Sequence, residues 1–316
     1  MRPSYFHGGF SLAEVLVAIV IGLFLTAGIV QVFVANKQTY RFNEALARMQ
    51  ENGRLAMELM ASDLRMADFW GCAPRDSVTN LNPGGFVTVG LSGTNGSNGA
   101  ADTITLAGAT GAGLRLSGTL ATPTANILLD ASVTGDNDCT PKFRVGEICG
   151  AGDTVLVSDC EKADIFTVTD IGNSSGNFLG HAVALSKLYG GNASVFSART
   201  AEYSIAISKG QPSLGVKENG GNWRPVVEGV QDLQIAYGKD TDGNGAADEY
   251  ASAAGGGAAW FDNVVSVRVA FLLQSTETGL ADSPQQVQFN GQTITCPDRR
   301  LCQVMTGTIT LRNRIK

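Results

Sequence analysis

The chain has 316 residues, enough for a substantial core, and its formal charge of -6 with a pI near 5.0 disfavours nucleic acid as the main partner. Glycine is abundant, at 39 residues, and only 16% of residues are charged, which points to short strands joined by many turns and away from a helix-rich enzyme. His7 and His181 are the only imidazoles, so a His-rich metal site is excluded and a Ser-His or Cys-His enzyme would rest on His181 alone.

Residues 1–9 form a short polar leader that ends in Gly8-Gly9. Phe10 to Ala35 follows as an apolar run of about 26 residues, long enough to cross a bilayer. Its one charge is Glu14. A carboxylate at mid-bilayer costs about 2.5 to 3.5 kcal/mol on insertion scales, so such a residue is expected to have a partner and a role. Neither Leu25-Thr26-Ala27 nor Phe33-Val34-Ala35 places a small residue where conventional signal cleavage needs one. A plain anchor explains the length of the run but leaves Glu14 unpaired and Gly8-Gly9 without a role.

Past Ala35 the pattern becomes amphipathic. Phe42, Leu46, Met49, Gly53, Ala56, Met60, Leu64 and Ala67 step by three or four residues and so share one stripe. No proline interrupts Ser11 to Ala67, which predicts one helix of roughly 85 Å that stops near Asp68 to Trp70. Its first half would lie in a membrane or an apolar filament core, and its second half, residues 36–70, on a globular domain. Gly53, inside the stripe, would let a sheet come near.

From Gly71 to Lys316 the chain reads as β structure with long connections. Strands are expected at "DTITLAG", "DTVLVSD", "DIFTVTDI", "AEYSIAIS", "VQDLQIAYG", "NVVSVRVAFLLQS" and "MTGTITLRNR". Asn80 to Thr124, rich in small residues, reads as a loop-heavy insertion with one or two short strands. "GATGAG" from Gly108 lacks the spacing of a dinucleotide fingerprint, and no phosphate-binding loop motif is present. In "KDTDGNGAADEY", Asp240, Asp242, Asn244 and Asp248 occupy positions 1, 3, 5 and 9 of an EF-hand-like loop, Gly245 the sharp turn and Ala246 the carbonyl position. Position 12 is Ala251, so the bidentate glutamate is missing, and calcium competes with a solvated Asp/Gly turn. Arg299, Arg300, Arg312, Arg314 and Lys316 make a basic end, read as edge-strand charges that discourage aggregation.

Cys72, Cys139, Cys149, Cys160, Cys296 and Cys302 are even in number and contain no C-x-x-C, which fits three disulfides better than zinc. Disulfides imply an oxidising compartment, hence a β domain outside the cytoplasm. Spacing alone leaves 15 pairings open for six cysteines.

Gly9-Phe10-Ser11-Leu12-Ala13-Glu14, with the polar leader before it and the apolar run after it, resembles the class III signal of type IV prepilins. The resemblance implies that a prepilin peptidase cuts after Gly9 and methylates Phe10, which becomes the N-terminus. The Phe10 amine of one subunit can then meet the Glu14 carboxylate of a neighbour in a low-dielectric filament core, where opposite charges attract more strongly than in water. "NKQTYR", "ENGRLAMELMASDLRMADFWGC", "VSDCEKADIFTVT", "VEGVQDLQIAYG" and the closing "TLRNR" extend the resemblance to the PilW family of minor type IV pilins. The implied fold is α+β, a long N-terminal helix packed on a largely antiparallel sheet. Because Cys72 and Cys160 both sit in these family-like segments, their pairing is favoured; Cys139 with Cys149 and Cys296 with Cys302 would then close local loops.

The implied function is a non-enzymatic minor pilin that primes or caps a pilus. Its partners would be other minor pilins, the major pilin, the prepilin peptidase and the inner-membrane assembly platform. It would need no cofactor, calcium apart, and would stand in the inner membrane with its C-terminal domain in the periplasm before joining the pilus. A J-type pseudopilin of type II secretion shares signal and architecture, and a membrane-anchored exported enzyme using His181 is the rival from another class.

Overall fold

The computed structural model describes residues 11–82, 86, 89–130, 150–172, 177–253, 255 and 257–315. The unbroken helical pattern becomes α1, Leu12–Met66, a single helix of 55 residues. It ends close to the expected place, where Asp68 turns the chain with a φ of 63°. Aspartate tolerates this left-handed conformation better than most side chains. The two halves of α1 differ as their composition requires. Leu12 to Arg41 is exposed throughout, whereas Ala45, Met49, Gly53, Ala56, Met60, Ala61 and Leu64 are buried.

The strands are β1 (Val78–Asn80), β2 (Leu91–Thr94), β3 (Thr103–Arg115), β4 (Ile127–Leu128), β5 (Thr154–Ser158), β6 (Ala163–Ile171), β7 (Phe178–His181) and β8 (Ser194–Ser208). They continue with β9 (Gln211–Glu218), β10 (Arg224–Glu228), β11 (Val230–Lys239), β12 (Glu249–Ala251), β13 (Val264–Gln274), β14 (Gln286–Phe289), β15 (Gln292–Thr295) and β16 (Cys302–Thr310), with a one-turn helix α2 at Gly257–Trp260. Among the described residues, β1 to β10 build a ten-stranded sheet along the path β10-β9-β8-β5-β6-β7-β4, with β3 joined to β8. A four-stranded sheet runs β12-β11-β13-β16, and β14 with β15 forms a hairpin. The β1–β6 pair is parallel and the other ladders are antiparallel.

The amphipathic half of α1 lies across the smaller sheet. A Cβ at Gly53 would collide with Leu273, and one at Gly307 would sit 2.7 Å from Met57 Sδ, so both glycines permit close approach of helix and sheet. One flank of the helix meets the larger sheet, and the main core gathers Met60 and Leu64 with Tyr203 and Leu214 from one sheet and Val267 and Phe271 from the other. A second core, around Phe166, Leu179 and Tyr189, fills the far end of the larger sheet.

The segment expected to be loop-heavy contains β3, a strand of 13 residues. Its Gly108-Ala-Thr-Gly-Ala-Gly113 stretch has little strand preference of its own. Gly108 to Thr110 pair with β8, Gly111 to Gly113 bulge before pairing resumes at Leu114, and Gly108 admits the backbone of Met66 and Phe69 while Gly113 admits the Phe196 ring.

Candidate assembly site

The exposed half of α1 starts at Ser11, the N-cap. Glu14 Oε2 accepts hydrogen bonds from Ser11 N at 2.9 Å and Ser11 Oγ at 3.0 Å, and Glu14 N donates to Ser11 Oγ at 3.3 Å. This is a reciprocal capping box, and the S-x-x-E spacing of Ser11-Leu12-Ala13-Glu14 already carried its signature. Within one chain the carboxylate therefore sits on its own first turn. Gly9 and Phe10 lie outside the described residues. From Leu12 to Val34 the large apolar side chains are open, Phe24 at 77% exposure and Ile29 at 70%, which leaves an unpartnered surface long and apolar enough to cross a membrane.

The other half of α1 is anchored by charge as well as by packing. Asp63 accepts from Arg199 at 2.9 Å and from the Tyr203 hydroxyl at 2.7 Å. Arg199 also reaches Glu218 at 2.6 Å, and Glu218 accepts from Arg224 at 2.9 Å. Burial pushes the Glu218 carboxyl up, but the hydrogen bonds from Arg224 and Arg199 outweigh it and hold the group below its usual range.

At the helix end, the Asp68 side chain is fully buried, accepting from Trp70 and Arg75 and forming an ion pair with Arg314. Trp70 Nε1 lies 2.8 Å from Oδ1, Arg75 Nη1 3.3 Å and Arg314 Nε 2.8 Å from Oδ2. Arg314 also donates to the carbonyls of Phe261 and Val264, while Asn313 donates to those of Ala67 and Arg65. Arg300 donates to the carbonyls of Ser275 and Thr276 at 2.6 and 2.7 Å. The reading of the basic end as edge protection is thus corrected for these two arginines. They are internal clamps, since a guanidinium can satisfy several carbonyls and a carboxylate at once.

Cys72–Cys160 is a disulfide, joining the chain just after α1 to the turn between β5 and β6, and Cys296–Cys302 closes a local loop. Cys139 and Cys149 lie outside the described residues.

The Asp240–Asp248 loop brings the Asp240, Asp242 and Asp248 carboxylates to within 4.8 Å of one another. Asp240 accepts from Gly243 N at 2.7 Å and Gly245 N at 2.8 Å, and Asp248 from Thr241 N and Oγ1 at 2.7 Å. Asn244 donates to Asp242 through N and Nδ2 and accepts from Ala246 N at 2.7 Å. Backbone hydrogen bonds, Gly245 first for Asp240 and Thr241 first for Asp248, keep both carboxyls below their usual range. Together the three carboxylates make a set of hard oxygen donors of the kind calcium takes.

His181 is buried, with Nδ1 2.7 Å from Val183 O and Nε2 2.9 Å from Ala125 O. Both ring nitrogens face backbone carbonyls inside the domain, and a neutral ring can donate to one of the two.

Residues 202–313, from β8 through β16 to the Arg312–Arg314 turn, match the family model of Type IV Pilus-assembly protein W. No curated protein and no solved structure matches the chain.

Proposed function

We propose that this chain is a minor type IV pilin that works in pilus assembly through its N-terminal helix. It is cut after Gly9, enters a filament or its priming complex beside other minor pilins and the major pilin, and primes or caps the pilus. Before assembly it stands in the inner membrane with the β domain in the periplasm. The observation that carries this reading is the contrast along α1: an apolar half exposed among the described residues, opened by Glu14, continues into a half clamped on a disulfide-closed β domain. The match of residues 202–313 to a pilus-assembly family supports it. In a filament, the Glu14 carboxylate exchanges its Ser11 bonds for the Phe10 amine of a neighbour, which fixes register between helices. The Asp240–Asp248 loop takes calcium in this proposal, held by Asp240, Asp242, Asn244, the Ala246 carbonyl and Asp248, and the ion orders the turn between β11 and β12.

Mass spectrometry of the N-terminus from assembled material tests the reading. The expected result is N-methylated Phe10; Met1 retained in assembled chains would overturn it. Glu14→Ala should be processed normally yet enter complexes poorly.

A further inference from the structure

β16 is the outermost strand of the smaller sheet, paired to β13 without a register break from Ser266–Thr310 to Gln274–Cys302. Two bonds at its ends define which way its backbone faces. Leu311 N donates to Val265 O, and Ser275 N donates to Leu301 O, each at 2.8 Å. In an antiparallel ladder hydrogen-bonded pairs alternate with non-bonded ones, so the odd-numbered residues of β16 bond to β13. The N–H and C=O groups of Cys302, Val304, Thr306, Thr308 and Thr310 therefore point away from the sheet. Gln285 Oε1 takes the Cys302 N–H at 2.9 Å. Those of Val304, Thr306, Thr308 and Thr310 have no partner among the described residues, and the three threonines are exposed.

Two other edges are blocked. On the opposite side of the same sheet β12 covers Tyr237 to Lys239, and Asp102 takes two groups further along: its N–H donates to Leu233 O at 2.8 Å and its Oδ2 accepts from Ile235 N at 2.7 Å. In the larger sheet, edge strand β10 carries Arg224, Pro225 and Glu228, breaks register between Pro225 and Val227, and has Asn52 Nδ2 on Glu228 O at 3.1 Å. Charge, proline, irregularity and capping are the usual means of keeping an edge from pairing. Cys302 to Thr310, "CQVMTGTIT", has no charge and no proline.

We propose that the outer edge of β16 is a docking edge, which takes an extended, uncharged strand from a different subunit standing beside this one. A second copy paired antiparallel through the same edge does not fit. Antiparallel pairing of β16 with itself would put a two-fold axis perpendicular to the sheet. Because α1 lies across the face of that sheet, this axis would turn the two apolar helix halves in opposite directions, and one bilayer could not receive both. The pilin reading enters only in naming the neighbour, another subunit with an apolar N-terminal helix in the same membrane. Backbone bonds to Val304, Thr306, Thr308 and Thr310 would give the affinity, and small β-branched threonines would leave room for the added strand.

The test is photo-cross-linking of the full chain in its native membrane, with a photoreactive residue at exposed Thr310 and, as a control, at exposed Ile207. The expected result is a cross-link from the edge position to a different subunit. It should fall about tenfold in Thr306→Lys/Thr308→Lys, equivalent to about 1.4 kcal/mol, with disulfides and protease resistance kept. Thr308→Pro should act alike, because it removes an outward N–H and no bond to β13. Undiminished cross-linking in the lysine variant, cross-links to a second copy, or none in a chain recovered with other subunits would overturn the proposal. N-terminal mass spectrometry of the same sample separates the two claims: Met1 retained with edge cross-links intact removes the pilin reading and leaves the docking edge standing.

Discussion

Asp68 shows how one side chain can hold two distant parts of the chain. It sits at the end of α1, its carboxylate is fully buried, and Arg314, itself 3% exposed, comes to it from the last residues. Removing one partner strands a buried charge, which costs more than the pair contributes. Asp68→Ala should therefore lower the unfolding free energy by about 3 to 5 kcal/mol, and Asp68→Ala with Arg314→Met by less. Urea denaturation of the full chain in detergent measures both; a loss below about 1 kcal/mol for the single variant would show that the pair is dispensable. Glu218 contributes differently. Its folded pKa is depressed, so its contribution is present above the unfolded value of about 4.3 and is lost as pH falls through the folded value. Glu218→Gln should be less stable at pH 7 and show a shallower acid limb below about pH 4.3 than the parent, as acid titration of unfolding would report.

At the scale of elements, helix and loop differ in what stabilises them. The second half of α1 is ordered by burial against two sheets. The Asp240–Asp248 loop is ordered by hydrogen bonds to its own acids, which leaves like charges close together at an exposed turn. Water screens that repulsion, and a cation would cancel it. Lacking a bidentate position 12, the loop should bind calcium weakly, with a Kd of roughly 10⁻⁴ to 10⁻³ M. Calcium at ten times Kd should stabilise the chain by about 1.4 kcal/mol, read as a rise in Tm, and Asp240→Ala/Asp242→Ala should abolish the rise. Absence of both a calcium heat and a Tm shift in the parent would leave the loop a solvated turn.

For the whole molecule, the Cys72–Cys160 bond ties the end of the long helix to the larger sheet across a separation of 88 residues. In the chain-entropy model such a closure is worth roughly 4 to 5 kcal/mol. Cys72→Ser/Cys160→Ser should lose about that much in chemical denaturation, and an unchanged midpoint would mean that packing alone fixes the helix. Much of this architecture was legible in the sequence because its signals are local. An apolar run with one acid, a stripe at helical spacing, S-x-x-E at the N-cap and the Asp/Gly turn are all written within single contiguous stretches. Of β3, the second half alone was not legible: "DTITLAG" read as a strand, but the small residues after it extend the strand only because Gly108 to Thr110 and then Leu114 pair with β8. Nor was the clamp: Asp68 and Arg314 meet only after folding, and an ion pair between distant residues leaves no periodic mark. The open edge of β16 is the sharpest case. Its residues read as a strand from the sequence alone, but whether a strand is central or outermost depends on which neighbours the fold supplies, and only the tertiary structure decides which amides are left facing outward.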